Sequence, residues 1–409
     1  MFWVKLILLV AFVVALVPMV AYAVGRFLRI DRRADVTHHV RTADGWTLAL
    51  HEYRPAPDAP KRAEPVLCCH GLGGNRVGFD FSERTSIARS LAARGHRVFL
   101  LELRGAGESE TPIFYDTPRW KWNFDTYVDL DAPAAIDAVL AVTGAKKLHW
   151  VGHSMGGMIG YSVSQGPRGD RLASLVTMGS PGSFAHAEKA QVLRPVVSHF
   201  KAVYLAQISQ LFAPLIEYIP KVQRWTGNEN LLPGDYAKSF ANLQSNIPIT
   251  LLLQFADFAR DRTVCAYDGR DFLAGLANVS TPYLCVGAEN DYTIPPSSVQ
   301  VIHDTMGSAN KRLHIVGPSS GARGRYGHLT MLIGRDAAEE LYPVLFEWLE
   351  SGWKNAAAAP VESTEAVQKI ASAPAKTPSR RPKPAPKKAD APKPAPKKTA
   401  RKTPPKPKG

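Results

Sequence analysis

Hydrophobic and polar positions along this chain fall into three regimes, and each predicts a different kind of element. Residues 6–25 carry no charge; as a helix they would rise about 30 Å, the thickness of a bilayer's hydrocarbon core. From residue 36 to 53 apolar and polar residues alternate around Asp44 and Gly45, which predicts a hairpin. Thereafter short apolar runs alternate with stretches of helical period. Strands fall at 66–69, 97–103, 148–152 and 172–178, helices at 83–94, 127–142 and 155–164. The rhythm resumes with strands at 282–287 and 312–316 and a closing helix at 337–353. Strands apolar on both faces and separated by helices make a mostly parallel sheet with helices on both sides, an α/β fold.

The rhythm breaks twice. Between residues 182 and 278 apolar positions recur at helical spacing, in 192–219 and again in 249–258, which predicts a helical insertion into the α/β unit. From residue 356 the chain is proline, alanine and lysine, with the stretch 381–390 nearly repeated in 391–400. Such a tail has too few apolar residues to offset its ordering entropy, and its twelve prolines favour extended polyproline II. The expected organisation is a membrane anchor or signal segment at 1–29, a first core part at 36–181, a helical cap at 182–278, a second core part at 279–354, and a disordered basic tail at 355–409.

The N-terminal segment has two readings. The run 6–17, the helix breaker Pro18 and the small-residue pattern Ala21, Tyr22, Ala23 match a cleaved signal peptide. The full length and the arginines at 26, 29, 32 and 33 match an uncleaved anchor with the following chain kept inside, although Lys5 and the free amine pull the other way. The anchor is preferred because the cleavage pattern is common by chance. The expectation is a membrane-associated or exported protein.

Composition changes the picture in one respect. Hydrophobic residues make up 45% of the 409, as in an ordinary globular protein. The net charge of +14 is concentrated: the segment 355–409 holds 14 Lys and Arg against Glu362, Glu365 and Asp390, so it supplies +11 and leaves +3 for the rest. Anionic lipid or another polyanion is the expected partner of that tail if it has one, and no specific nucleic acid is expected. Cys68 and Cys69 fall on one strand with opposite faces; with Cys265 and Cys285 they read as small buried hydrophobes.

The candidate chemistry lies in Gly152, His153, Ser154, Met155, Gly156, where an apolar strand runs into a small-residue helix. A serine hydroxyl is a weak nucleophile unless a tight strand-to-helix turn presents it to a base and to backbone donors, and glycines on either side leave room for that turn. Gly317, Pro318, Ser319, Ser320, Gly321 matches the same spacing, but the glycine-broken basic run behind it predicts a loop. Further on come Asp291, just past a strand, and His328, in Tyr326, Gly327, His328, Leu329. Glu289 is the competing acid, because loop register is not readable from one sequence. His70 and His153 flank the site as loop supports, His314 sits within a strand pattern, and 104–109 reads as a structural turn. Nothing in the pattern calls for a metal or an organic cofactor.

These motifs resemble the α/β-hydrolase superfamily of serine hydrolases, and within it the acid lipase and esterase branch. The likeness is carried by Trp122, Asn123, Phe124, Asp125 and 129–136, by Thr143, Gly144 and 147–157, and by 326–329 with Gly334, Arg335, Asp336, Ala337 behind them. It spans roughly residues 36 to 353. The order Ser, Asp, His is the one that scaffold uses. The resemblance implies that Ser154, His328 and Asp291 form a triad and that the backbone N–H groups of Leu72, in His70, Gly71, Leu72, Gly73, Gly74, and of Met155 make an oxyanion hole. It also implies that the insertion after the sixth strand is a lid shaping an apolar acyl pocket. Met155 departs from the glutamine usual in acid lipases; only its backbone is needed for the chemistry. The implied activity is hydrolysis of small-molecule or lipid esters through an acyl-enzyme. The alternatives are a thioesterase, amidase or acyltransferase with the same triad, or a silent membrane-tethered scaffold.

Overall fold

The computed structural model describes residues 2–113, 116, 119–184, 200–216, 218, 219 and 230–354, and only the backbone of residues 10, 11, 13, 14, 17 and 18. Eight strands form one sheet: β1 (Val36–Arg41), β2 (Thr47–Tyr53), β3 (Val66–Cys69), β4 (Val98–Glu102), β5 (Leu148–His153), β6 (Leu172–Met178), β9 (Tyr283–Ala288) and β10 (Lys311–Val316). Their spatial order is β1-β2-β4-β3-β5-β6-β9-β10. The β1–β2 hairpin joins β4 antiparallel, and every other pair is parallel. The remaining strands, β7 (Ala202–Val203) and β8 (Ile247–Pro248), make a two-residue ribbon outside the sheet.

The central strands are buried on both faces, which is why they read as unbroken apolar runs. β3 shows how the faces divide. Leu67 and Cys69 pack into one core layer with α3 (Ala132–Thr143) and α4 (Met155–Val163). Val66 and Cys68 pack into the other with α2 (Ile87–Ala93) and α9 (Tyr342–Glu350). All four cysteines are free. α3 begins with Pro133 in its first turn and ends at Gly144, whose φ of 72° and N–H bond to the Leu140 carbonyl close it.

Between β6 and β9 lie α5 (Leu205–Ile216), α6 (Asp235–Asn242) and α7 (Ile249–Asp261). The helical period at 249–258 is therefore a helix, while that at 192–219 is one only from Leu205, its first part lying outside the described residues. α6 and α8 (Pro296–Thr305) were not foreseen. The expected closing helix at 337–353 is broken into Ala337–Glu340 and α9, because Pro343 has no N–H to carry the ladder through. The tail at 355–409 lies outside the described residues.

The N-terminal expectation needs correction. Residues 2–27 do form a helix, α1 (Phe2–Phe27), but among the described residues no helix is long and apolar enough to cross a membrane. Part of α1 has a protein partner instead. Ala21 is buried, and a Cβ on Gly25 would lie 2.9 Å from the Gln210 side chain of α5. Beyond the helix, the Ile30 N–H donates to Asn242 Oδ1 at 2.9 Å and Asn242 Nδ2 donates to the Leu28 carbonyl at 2.9 Å.

Candidate active site

Ser154 sits between the end of β5 and the first residue of α4, with φ 54° and ψ −122°. Arg262 is the other non-glycine residue with positive φ among those described. A serine in that region is strained, so the surroundings have to enforce it. They do so by contact. A Cβ on Gly152 would lie 2.3 Å from the Gly156 carbonyl oxygen, and one on Gly156 would lie 2.1 Å from the Cys69 carbonyl oxygen. The Trp150 indole N–H also donates to the Gly156 carbonyl at 3.0 Å. Strand, serine and helix thus pass at distances that only hydrogen atoms at 152 and 156 permit.

Asp291 and His328 come together from two loops beyond the ends of β9 and β10. The His328 Nδ1–H donates to Asp291 Oδ2 at 2.7 Å. Asp291 is 2% exposed, and its other oxygen accepts the backbone N–H groups of Thr293 at 2.9 Å and Ile294 at 2.8 Å. Those donors fix the carboxylate's rotation before the imidazole meets it. Glu289 points elsewhere: it accepts from the Ser319 N–H at 3.0 Å and the Ser319 hydroxyl at 2.9 Å. The second serine match is thereby tied down in an exposed 3₁₀ turn, Pro318–Ser320, as the loop reading expects.

Ser154 and His328 line one cavity of about 190 Å³. Among the described residues, neither the Ser154 hydroxyl nor His328 Nε2 has a hydrogen-bond partner; apo sites commonly hold such contacts open. Leu72 lines the same cavity, and Met155 is buried as the first residue of α4, where a helix leaves its N–H groups unpaired. A Cβ on Gly71 would lie 2.9 Å from Ser154 Cβ, so that turn passes directly over the serine.

Both flanking histidines act as supports. His70 Nε2 accepts the Leu103 N–H at 3.2 Å while its Nδ1–H donates to the Gly71 carbonyl at 2.9 Å. Burial holds its pKa below the ordinary histidine value, so the ring is a neutral spacer under the turn. His153 Nε2–H donates to the His328 carbonyl at 2.9 Å, with the two rings 4.7 Å apart. Burial, helped by the neighbouring His328, pushes His153 down to about 3. Sequence reasoning missed Gly179. Its φ is 59°, and a Cβ there would lie 2.6 Å from Met331 Cε, 3.2 Å from His328 Nδ1 and 3.4 Å from Asp291 Oδ2. The position directly after an apolar strand was the available signal. Among the described residues no group of three or more His, Cys, Asp or Glu side chains is placed to hold a metal ion.

Comparison with known proteins bears on the fold and the family. A family model described as alpha/beta hydrolase fold matches residues 64–320. A probable lipase of Schizosaccharomyces pombe is 24% identical over 353 residues, covering 76% of this chain and 76% of that protein. Gastric triacylglycerol lipase of Bos taurus is 35% identical over 134 residues, 30% of this chain and 33% of that protein. Among solved structures, an esterase from Exiguobacterium antarcticum superposes with a TM-score of 0.53 at 16% identity, covering 77% of this chain and 100% of its own.

Proposed function

The chain belongs to the α/β-hydrolase fold family, and from that premise we propose that it hydrolyses carboxylic esters of apolar acyl groups with Ser154 as nucleophile, His328 as general base and acid, and Asp291 as the group that orients the imidazole. His328 Nε2 takes the Ser154 proton as the oxygen attacks the ester carbonyl. The N–H groups of Leu72 and Met155 receive the developing oxyanion, and the proton passes to the departing alcohol. Water, deprotonated by the same imidazole, then attacks the acyl-enzyme; the acid leaves and Ser154 regains its proton. Asp291 holds the imidazole in position and stabilises the imidazolium across its 2.7 Å bond.

The observation carrying this reading is the strained Ser154 facing one cavity with a histidine already bound to a buried carboxylate. The lipases and esterase among the similar proteins support an ester as substrate. The test is labelling with a fluorophosphonate, together with hydrolysis of p-nitrophenyl butyrate. Wild type should label and turn over, and Ser154→Ala should do neither, with a rate at least about 10³-fold lower. Equal labelling of the Ser154→Ala protein would remove the serine from its role.

For location, we infer contact with a lipid surface. The exposed Phe2, Trp3, Ile7, Leu8 and Leu9 of α1 and the exposed Ile208, Phe212 and Leu215 of α5 belong to helices that pack together, and Lys5, Arg26 and Arg29 supply positive charge.

A further inference from the structure

The loop that carries His328 to Asp291 is held from behind by one carboxylate. Glu340 ends the short helix Ala337–Glu340, and its side chain is mostly buried. Its Oε1 accepts the Arg323 backbone N–H at 2.8 Å and the Arg323 Nε–H at 2.9 Å, while its Oε2 accepts the Tyr326 hydroxyl at 2.9 Å and the Gly324 N–H at 3.4 Å. Among the described residues, every hydrogen bond this carboxylate accepts comes from residues 323–326, directly before Gly327 and His328.

Tyr326 is the link. Its ring is fully buried in the core layer that also holds Met331 and Tyr342, so its hydroxyl needs a partner inside the protein, and Glu340 supplies one. Its backbone carbonyl accepts the N–H of Asn290, the residue before Asp291, at 3.0 Å, and the Gly327 N–H that follows donates to the Thr330 hydroxyl at 2.8 Å. Tyr326 thus ties the loop of the base to the loop of the acid, and a shift of its ring would disturb both partners of the 2.7 Å His328–Asp291 bond. Arg323 also pairs with Glu339, so losing Glu340 would leave it an anion but would leave the hydroxyl and the two backbone N–H groups without their acceptor.

We propose that Glu340 is a positioning residue of this site: through Tyr326 it sets where His328 stands between Ser154 and Asp291. The inference rests on the triad reading above. It is tested on the full chain with Glu340→Ala, Glu340→Gln and Tyr326→Phe, each titrated with a fluorophosphonate so that kcat on p-nitrophenyl butyrate is counted per reactive serine. A residue that only stabilised the fold would lower the Tm and the number of reactive sites and leave kcat per site unchanged. Glu340→Ala should lower kcat per site about 10- to 100-fold and Tyr326→Phe at least about fivefold, with KM within about twofold of wild type. Glu340→Gln keeps an oxygen for Arg323 and an amide that can donate to the phenol, which accepts as well as donates, so its kcat per site should return to within about threefold of wild type.

An unchanged kcat per site in Glu340→Ala or in Tyr326→Phe overturns the assignment and leaves the ester-hydrolase reading standing. Equal losses in Glu340→Ala and Glu340→Gln, or a loss carried by KM, do the same. A wild-type protein that neither labels nor turns over the ester overturns both. Where Glu340→Ala fails to fold, Tyr326→Phe decides the matter, because it keeps the buried ring and removes only the hydroxyl.

Discussion

His153 shows how a residue beside a nucleophile can matter without touching substrate. Its ring is buried, neutral, and donates one hydrogen bond, to the carbonyl of His328. It therefore holds the backbone of the residue whose side chain must face both Ser154 and Asp291. His153→Gln can keep a donor near the same place, whereas His153→Leu cannot. We expect His153→Leu to lower kcat about 10- to 100-fold with KM nearly unchanged, and His153→Gln to recover at least half of that loss on a logarithmic scale. Steady-state kinetics on a short-chain ester would check it; equal losses in the two variants would reduce His153 to a packing residue. Gly179 belongs to the same scale, since the absence of a side chain there is what lets the imidazole and the carboxylate close.

At the scale of elements, the N-terminal helix and the insertion are joined. Asn242 accepts the Ile30 N–H and donates to the Leu28 carbonyl through its side chain, while its own carbonyl accepts from Asn75 beside the cavity. The exit of α1, the end of α6 and the turn over Ser154 are thus one hydrogen-bonded series. The exposed apolar residues at the start of α1 take no part in it, so the lipid-surface inference can be tested without touching the site. Replacing Trp3, Ile7 and Leu8 by serine should reduce flotation with phosphatidylcholine–phosphatidylglycerol vesicles at least fivefold while hydrolysis of a soluble ester is kept. Unchanged flotation would place the lipid contact elsewhere or nowhere.

For the whole molecule, the buried histidines set an acid limit. Burial pushes His96 down to about 4 and His149 and His153 down to about 3, whereas an unfolded chain protonates them near 6.5. Below that value the unfolded state binds protons that the folded state refuses, so stability falls as pH falls from about 6.5 toward 4 and then 3. Glu52 adds to the trend at lower pH. Although burial alone would raise its pKa, hydrogen bonds from Arg54, His38 and Arg97 hold it at about 2, and the stability it contributes is lost below about 4.5. Between pH 7.5 and 5 the several buried histidines outweigh Asp131, whose carboxyl burial raises to about 6 and which acts in the opposite direction. Urea midpoints should decline over that range, and His149→Phe, which removes one of these protonation sites, should make the decline shallower. A midpoint independent of pH there would contradict the assignment.

Much of the core was legible in the chain, for a physical reason. Strands buried on two faces have to be continuously apolar, so β3 to β6 and β9 announce themselves, and Cys68 and Cys69 divide between the two core layers as pleating demands. The tight turn at Ser154 was legible too, because Gly152 and Gly156 are set by local backbone approach. Contacts between distant segments were not. Whether Asp291 or Glu289 met His328 depended on loop register, and the structure decided it by giving Asp291 two backbone donors and turning Glu289 toward Ser319. Local pattern likewise made residues 6–25 a membrane span, but it could not show that Ala21 and Gly25 are covered by α5. Periodicity and steric need are properties of neighbours in sequence; which loop reaches which histidine, and what covers an apolar helix, are decided only when the chain closes on itself.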